Sequence, residues 1–166
     1  MSIARLLLYP FFIISLAGCQ SVPTRNDSTG VERRYAPEED FARISEYFTG
    51  KENPGDRLYL RSRPTEREGY YWIVKPPPEL SGRPVQVSLH VQIPGSPDTR
   101  SETFDIKNLD KENLWIGITG SDWPSPEARP VAWKLLLTDA DGTTALDKQS
   151  FLWSSVNPRE AGESEK

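Results

Sequence analysis

The chain predicts a mainly β domain of two antiparallel sheets packed face to face. Three observations lead there. Fifteen prolines and eleven glycines in 166 residues interrupt the chain too often for a helical bundle and suit short strands joined by many turns. Between these breaks, apolar residues alternate with polar ones at the period of a half-buried strand. The chain holds a single cysteine, so no intrachain disulfide can form and an apolar core has to hold the domain. A small closed barrel is the alternative arrangement.

One helix is expected ahead of the strands, over residues 37–48. Pro37 suits a first helical position, and Glu38, Glu39 and Asp40 complement the positive end of the helix dipole. Phe41, Ile44, Tyr47 and Phe48 recur at three- and four-residue spacing, which makes one apolar stripe. Gly50 is placed to end it. The stripe is expected to pack on the domain's own sheet or to plug an open end. A helix displayed for a partner is the functional alternative.

After Gly50 the period changes to two. Residues 57–63 put Leu58 and Leu60 on one face, with Arg57, Tyr59 and Arg61 on the other. Residues 70–75 (YYWIVK) are apolar on both faces, as a central strand requires. Pro76, Pro77 and Pro78 stop that strand, because proline cannot donate to a ladder. Residues 85–93 alternate cleanly, with Val85, Val87, Leu89, Val91 and Ile93 on one side and Gln86, Ser88, His90 and Gln92 on the other. This pattern fits an antiparallel strand with one wet face. Two further strands follow at 103–107 and 114–119, with Phe104, Ile106, Leu114, Ile116 and Ile118 inward. The strand at 131–138 turns Val131, Trp133, Leu135 and Leu137 to one face. Asp141-Gly142 marks a hairpin, and 143–153 returns. Seven strands and one leading helix resemble an immunoglobulin-like or fibronectin-like sandwich in number and spacing, without the disulfide of true immunoglobulin domains.

The N-terminus has a different character. Arg5 is followed by an apolar run from Leu6 to Ala17 and then by Leu16-Ala17-Gly18-Cys19, the layout of an export signal. The run is short for a transmembrane helix, which needs about 20 apolar residues, and Pro10 would kink it. These four residues resemble the lipobox of bacterial lipoprotein precursors. The resemblance implies a signal peptide over 1–18, a diacylglyceryl group on the Cys19 thiol and cleavage before it. Two or more acyl chains anchor stably where one does not. Gln20, rather than Asp, follows the cysteine, which by the same resemblance favours the outer membrane in a host that has two. The organisation expected is a leader over 1–18, a tether over 19–36, a helix-plus-sandwich domain over 37–154 and a tail over 155–166.

Charge narrows the partners. Without Arg5 the mature chain has 19 Lys+Arg against 24 Asp+Glu, a net charge of −5. Nucleic acid is disfavoured, since its recognition needs a basic footprint, and a polybasic membrane patch is disfavoured equally. No cofactor or metal is implied. His90 is the one histidine, with no nucleophile elbow near it in sequence and no clustered zinc ligands. Asp139, Asp141 and Gly142 fit a hairpin turn better than a calcium loop, whose further ligand positions are not filled. Glu38, Glu39 and Asp40 crowd one helix start, whereas glycosidase carboxylates face each other across a cleft.

The aromatic residues leave a choice open. Trp115 falls on the strand face opposite Leu114 and Ile116, and Trp123 lies in the loop that follows that strand. Tyr59 and Tyr71 also point away from the expected core. These four rings are candidate binding residues, either as sugar-stacking platforms or as interface hot spots. Otherwise they cover the second face of the sheet or hold the loop. The function expected first is a non-enzymatic, membrane-anchored lipoprotein acting as an envelope interaction or assembly module for a protein partner. Glycan or peptidoglycan binding through the exposed aromatics is the alternative, and an unrecognised hydrolase the next.

Overall fold

The computed structural model of the protein describes residues 30–153. The leader, Cys19, the start of the tether and the tail lie outside the described residues. Eight strands are present: β1 (Glu32–Ala36), β2 (Arg57–Arg61), β3 (Gly69–Val74), β4 (Val85–Gln92), β5 (Thr99–Ile106), β6 (Asn113–Thr119), β7 (Ala132–Asp139) and β8 (Thr144–Gln149). They form two four-stranded sheets, in the orders β1-β3-β6-β2 (sheet A) and β5-β4-β7-β8 (sheet B). The architecture is an open sandwich and not a closed barrel.

Each of the seven segments expected as strands overlaps one, although β5 begins four residues earlier than expected, at Thr99. The eighth strand, β1, occupies part of the expected tether. Its sequence, ERRYA, looks solvated, and only tertiary contacts show why it is not. Ala36 is fully buried, Tyr35 packs against the inter-sheet core, and the Arg33 guanidinium lies 5.0 Å from the centre of the Trp133 ring. Long polar side chains cover apolar surface in this way while reading as polar in sequence. The expectation of a wholly antiparallel sandwich also needs correction, because β2 pairs with β6 in parallel.

The core lies between the sheets. β4 contributes Val85, Val87, Leu89 and Val91, and β7 contributes Trp133, Leu135 and Leu137. They face Tyr70, Trp72 and Val74 of β3 and Leu114, Ile116 and Ile118 of β6. Full burial of a large aliphatic or aromatic side chain contributes about 1.5–3 kcal/mol, so this layer dominates the stability of a chain without a disulfide.

An ionic staple closes one end. Asp122, just beyond β6, accepts from Arg100 of β5 at 2.8 Å and pairs with Arg63 Nε at 3.1 Å. Burial acts to raise the Asp122 carboxyl, but hydrogen bonds from Ser62 and Arg63 and the charges of Arg100 and Arg63 hold it below its ordinary range. Arg100 also bonds Glu102 at 2.9 Å. Inward-pointing charges of this kind blunt an edge strand against unwanted pairing.

The β7–β8 hairpin is as expected. The Asp139 N–H donates to Thr143 O at 2.9 Å and the Gly142 N–H to Asp139 O at 3.1 Å. Asp139 Oδ1 accepts from the N–H groups of Asp141 and Thr143, so this carboxylate belongs to the turn.

Replacing Leu135 by Ala should destabilise the domain by about 2–5 kcal/mol, the range for a cavity in a packed core. Leu146→Ala on edge strand β8 should cost clearly less. Urea unfolding of the two variants beside the wild type measures the contrast.

Candidate functional site

Strand β3 carries aromatic side chains on both faces, and β6 carries one on its outer face. Alternation sends Trp72 and Ile116 inward, so Tyr71 and Trp115 emerge on the outer face of sheet A. Aromatic surface of this size is unfavourable in water, and the segment between β1 and β2 covers it. That segment is not the single helix expected over 37–48. It is a 3-10 turn at Glu38–Phe41, an extended link at Ala42 and Arg43, and a six-residue helix α1 (Ile44–Thr49).

Phe41 anchors this covering segment. Its ring centre lies 5.2 Å from those of Tyr59 and Tyr71 and 6.0 Å from that of Trp115. Three arginines complete the cluster. Arg34 and Arg57 lie 5.0 and 4.7 Å from the Trp115 ring centre, and Arg61 lies 4.6 Å from Tyr59 and 5.1 Å from Phe41. Guanidinium groups over ring faces gain from the ring quadrupole, and more so where water is excluded.

Arg61 organises the polar side of the cluster. It is buried, and its two terminal nitrogens donate to the Glu52 carboxylate at 2.8 and 2.6 Å. Its Nε donates to the Tyr71 hydroxyl at 3.1 Å, and that hydroxyl donates to Arg67 O at 2.6 Å. Arg67 reaches Glu46 of α1 at 2.8 Å. Burial works against the Arg61 charge, but the bonds to Glu52 and Tyr71 outweigh it and lift its pKa above the ordinary value. Hydrogen bonds from Arg61 hold Glu52 below its usual range, and the bond from Arg67 does the same for Glu46. Burial pushes the Tyr71 phenol up to about 12, partly offset by Arg61. It is therefore a neutral hydrogen-bonding group and not a nucleophile at neutral pH.

Because the segment breaks after Phe41, its remaining apolar residues turn outward. Ile44, Tyr47 and Phe48 are 83%, 91% and 80% exposed, and the ion-paired Glu46 faces the sheet. The expectation that the stripe packs on the sheet holds for Phe41 alone. The break has a physical cause. Phe41 is fixed in the aromatic cluster and Asp40 is held by Arg34 at 2.7 Å. Arg67 and the Asn53 N–H draw Glu46, rather than the apolar side, toward the sheet.

The candidate binding residues separate into two groups. Tyr59, Tyr71 and Trp115 meet in the outer-face cluster, whereas Trp123 joins the inter-sheet core, stacked on Tyr70 at 4.7 Å. Their expected exposure is not found. Tyr71 is fully buried, Trp115 and Trp123 are 5% exposed, and Tyr59 is half-buried. A sugar-stacking platform needs an open ring face, and these rings are covered by Phe41, by arginines and by the opposite sheet. Cys19 lies outside the described residues. His90 stays on the outer face of β4, with Nδ1 2.8 Å from Ser101 Oγ. No group of three or more His, Cys, Asp or Glu able to hold a metal occurs among the described residues.

Nothing in the sequence pairs Glu52, Glu46, Arg61 and Arg67, which meet only across the assembled sheet. The exposure of Ile44, Tyr47 and Phe48 agrees with the alternative of a displayed face and not with a stripe packed inward.

Gly117 on β6 lies beneath the Tyr71 ring, and a Cβ there would sit 2.5 Å from it. Gly117→Ala should therefore displace Tyr71 and cost about 1–3 kcal/mol, as overpacking does. Near-ultraviolet dichroism should change along with the unfolding midpoint. Glu52→Gln leaves the buried Arg61 guanidinium without its counter-charge and should cost about 1–3 kcal/mol at neutral pH. Since the folded-state carboxyl of Glu52 is depressed, the stability it contributes is present above the ordinary carboxylate range and lost as pH falls through the folded value. Melting curves of Glu52→Gln and wild type should therefore converge in acid. Across family models, curated proteins and solved structures, no match to this chain is found.

Proposed function

We propose that this chain is a lipid-anchored, non-enzymatic module of a bacterial cell envelope that docks an envelope protein through its sandwich. The observation that carries this is Leu16-Ala17-Gly18-Cys19, at the end of an N-terminal apolar run. Acylation of Cys19 attaches the chain to its membrane, with Gln20 favouring the outer one. Among the described residues no helix is long and apolar enough to cross a membrane.

A binding role fits the way the domain uses its reactive groups. Arg61, Glu52, Arg67 and Glu46 are paired with one another, and Asp122 is shared by Arg63 and Arg100. Perturbed pKa values mark structural networks as well as active sites, and these networks hold strands and the covering segment together. The strand order suits a binding scaffold too. With β2 set aside, β1-β3-β6 and β5-β4-β7-β8 follow the A-B-E and C′-C-F-G orders of an immunoglobulin-like sandwich. The segment 37–61 is then an insertion between its first two strands.

The docking edge we favour is β8. It ends sheet B, and Val131, Phe151 and Leu152 beside it are exposed. An edge strand next to apolar side chains can accept an added strand from a partner.

Affinity recovery of the tagged protein from crosslinked membranes tests this. A reproducible, near-stoichiometric envelope protein should be recovered, lost or weakened with Cys19→Ala, and reduced several-fold with Phe151→Asp, as for an apolar anchor at an interface. Recovery of nothing above background from the wild-type membranes would overturn the docking role.

A further inference from the structure

We propose that the outward face of α1, formed by Ile44, Tyr47 and Phe48, seats in the lipid–water interface of the membrane that carries the anchor. The outer face of sheet A is thereby turned toward the bilayer. The premise is the lipid anchor at Cys19 proposed above.

Four observations converge on a lipid surface as the occupant. The first is chemistry: two aromatic rings and an isoleucine are 80% exposed or more on one turn of helix, with Arg43 and Lys51 exposed at its two ends. Amphipathic rings and aliphatic side chains beside cationic groups are the usual contents of an interfacial contact. The second is the mount. Glu46 is turned inward to Arg67 and Glu52 to Arg61 and Arg67, so these two carboxylates are drawn toward the sheet and the apolar groups of α1 are left facing outward, with Glu38, Glu39 and Asp40 exposed on the preceding turn.

The third is size. A stable protein interface takes about 20–30 residues and 800 Å² from each partner, and the apolar patch on α1 has three large side chains ringed by exposed polar ones. A bilayer contact needs no such area when an anchor already holds the two surfaces together, because the effective concentration is high. The fourth is position. Cys19 and Gly30 are 11 residues apart in the chain, a reach of at most about 40 Å. β1 follows at once as an edge of sheet A, and Arg34 on it is bonded to Asp40 of the covering segment. Sheet A, four strands wide, measures roughly 15–20 Å across. β1, where the described chain begins, and α1 thus both belong to sheet A, within reach of the anchor, while the β8 edge belongs to the other sheet.

Backbone hydrogen exchange tests the contact in two preparations on phosphatidylethanolamine–phosphatidylglycerol vesicles. One is the native protein purified from membranes and reconstituted. The other is the chain from Cys19 onward, coupled through its only thiol to a maleimide headgroup, with the thiol-capped soluble chain as reference. Exchange of the amides over 44–51 should slow about fivefold or more on both vesicle preparations, while the Asp139–Thr143 hairpin stays unchanged. The slowing should persist in high salt, since an apolar contact is little screened. It should vanish in Tyr47→Ser/Phe48→Ser, whose exposed positions leave the core intact. Unchanged exchange over 44–51 on the maleimide-coupled vesicles would overturn the contact. The mass of the native protein reads the anchor separately: slowing on the coupled vesicles with no lipid on native Cys19 would remove the anchor and leave the bilayer contact standing.

Discussion

Burial of β3 and β6 on both faces is the constraint from which the rest of this structure follows. In a two-layer sandwich the outer face of a sheet usually meets water. Here Tyr71 and Trp115 occupy it, opposite the Trp72 and Ile116 that fill the inter-sheet core. That aromatic surface has to be covered from within the chain. The segment between β1 and β2 does so with one ring, Phe41, while Arg34 of β1 and Arg57 and Arg61 of β2 lie over the Trp115 and Tyr59 rings. The glycine at position 117 is a direct consequence, because the space a side chain would take is already filled by the Tyr71 ring.

Around α1 the usual polarity of an amphipathic helix is inverted. Glu46 and Glu52 face the protein, where Arg67 and Arg61 bind them, and Ile44, Tyr47 and Phe48 face out. A buried guanidinium is unfavourable unless its hydrogen-bonding capacity is met. Arg61 has Glu52 on two nitrogens and Tyr71 on the third. The ion pairs thus decide which side of α1 looks inward, and they leave Ile44, Tyr47 and Phe48 to meet something other than the domain.

The same logic separates structural from chemical uses of charge. A catalytic site sets titratable groups against one another around a space where a substrate can react. In this domain the shifted carboxylates each have an arginine across from them. The two networks lie where parts of the fold are joined: α1 to sheet A in one case, the edge of sheet B to the end of sheet A in the other. They act as fasteners between parts of the fold.

Much of the fold was legible in the residues themselves. Period-two alternation, a run apolar on both faces at 70–75 and the hairpin signal at Asp141-Gly142 located the seven expected strands, and alternation identified the inward faces of β4 and β6, because a strand half buried against an opposite sheet must alternate. Turn residues fixed the β7–β8 hairpin for local reasons that need no distant contact. What only the tertiary structure decided depends on side chains meeting across distance. β1 was hidden because its arginines become apolar cover only when Trp133 and Trp115 lie beneath them. The break in the expected helix was hidden because spacing shows a stripe but not which of two faces finds a partner. That choice was made by Arg61 and Arg67, which lie outside the stripe and reach it only when sheet A is assembled.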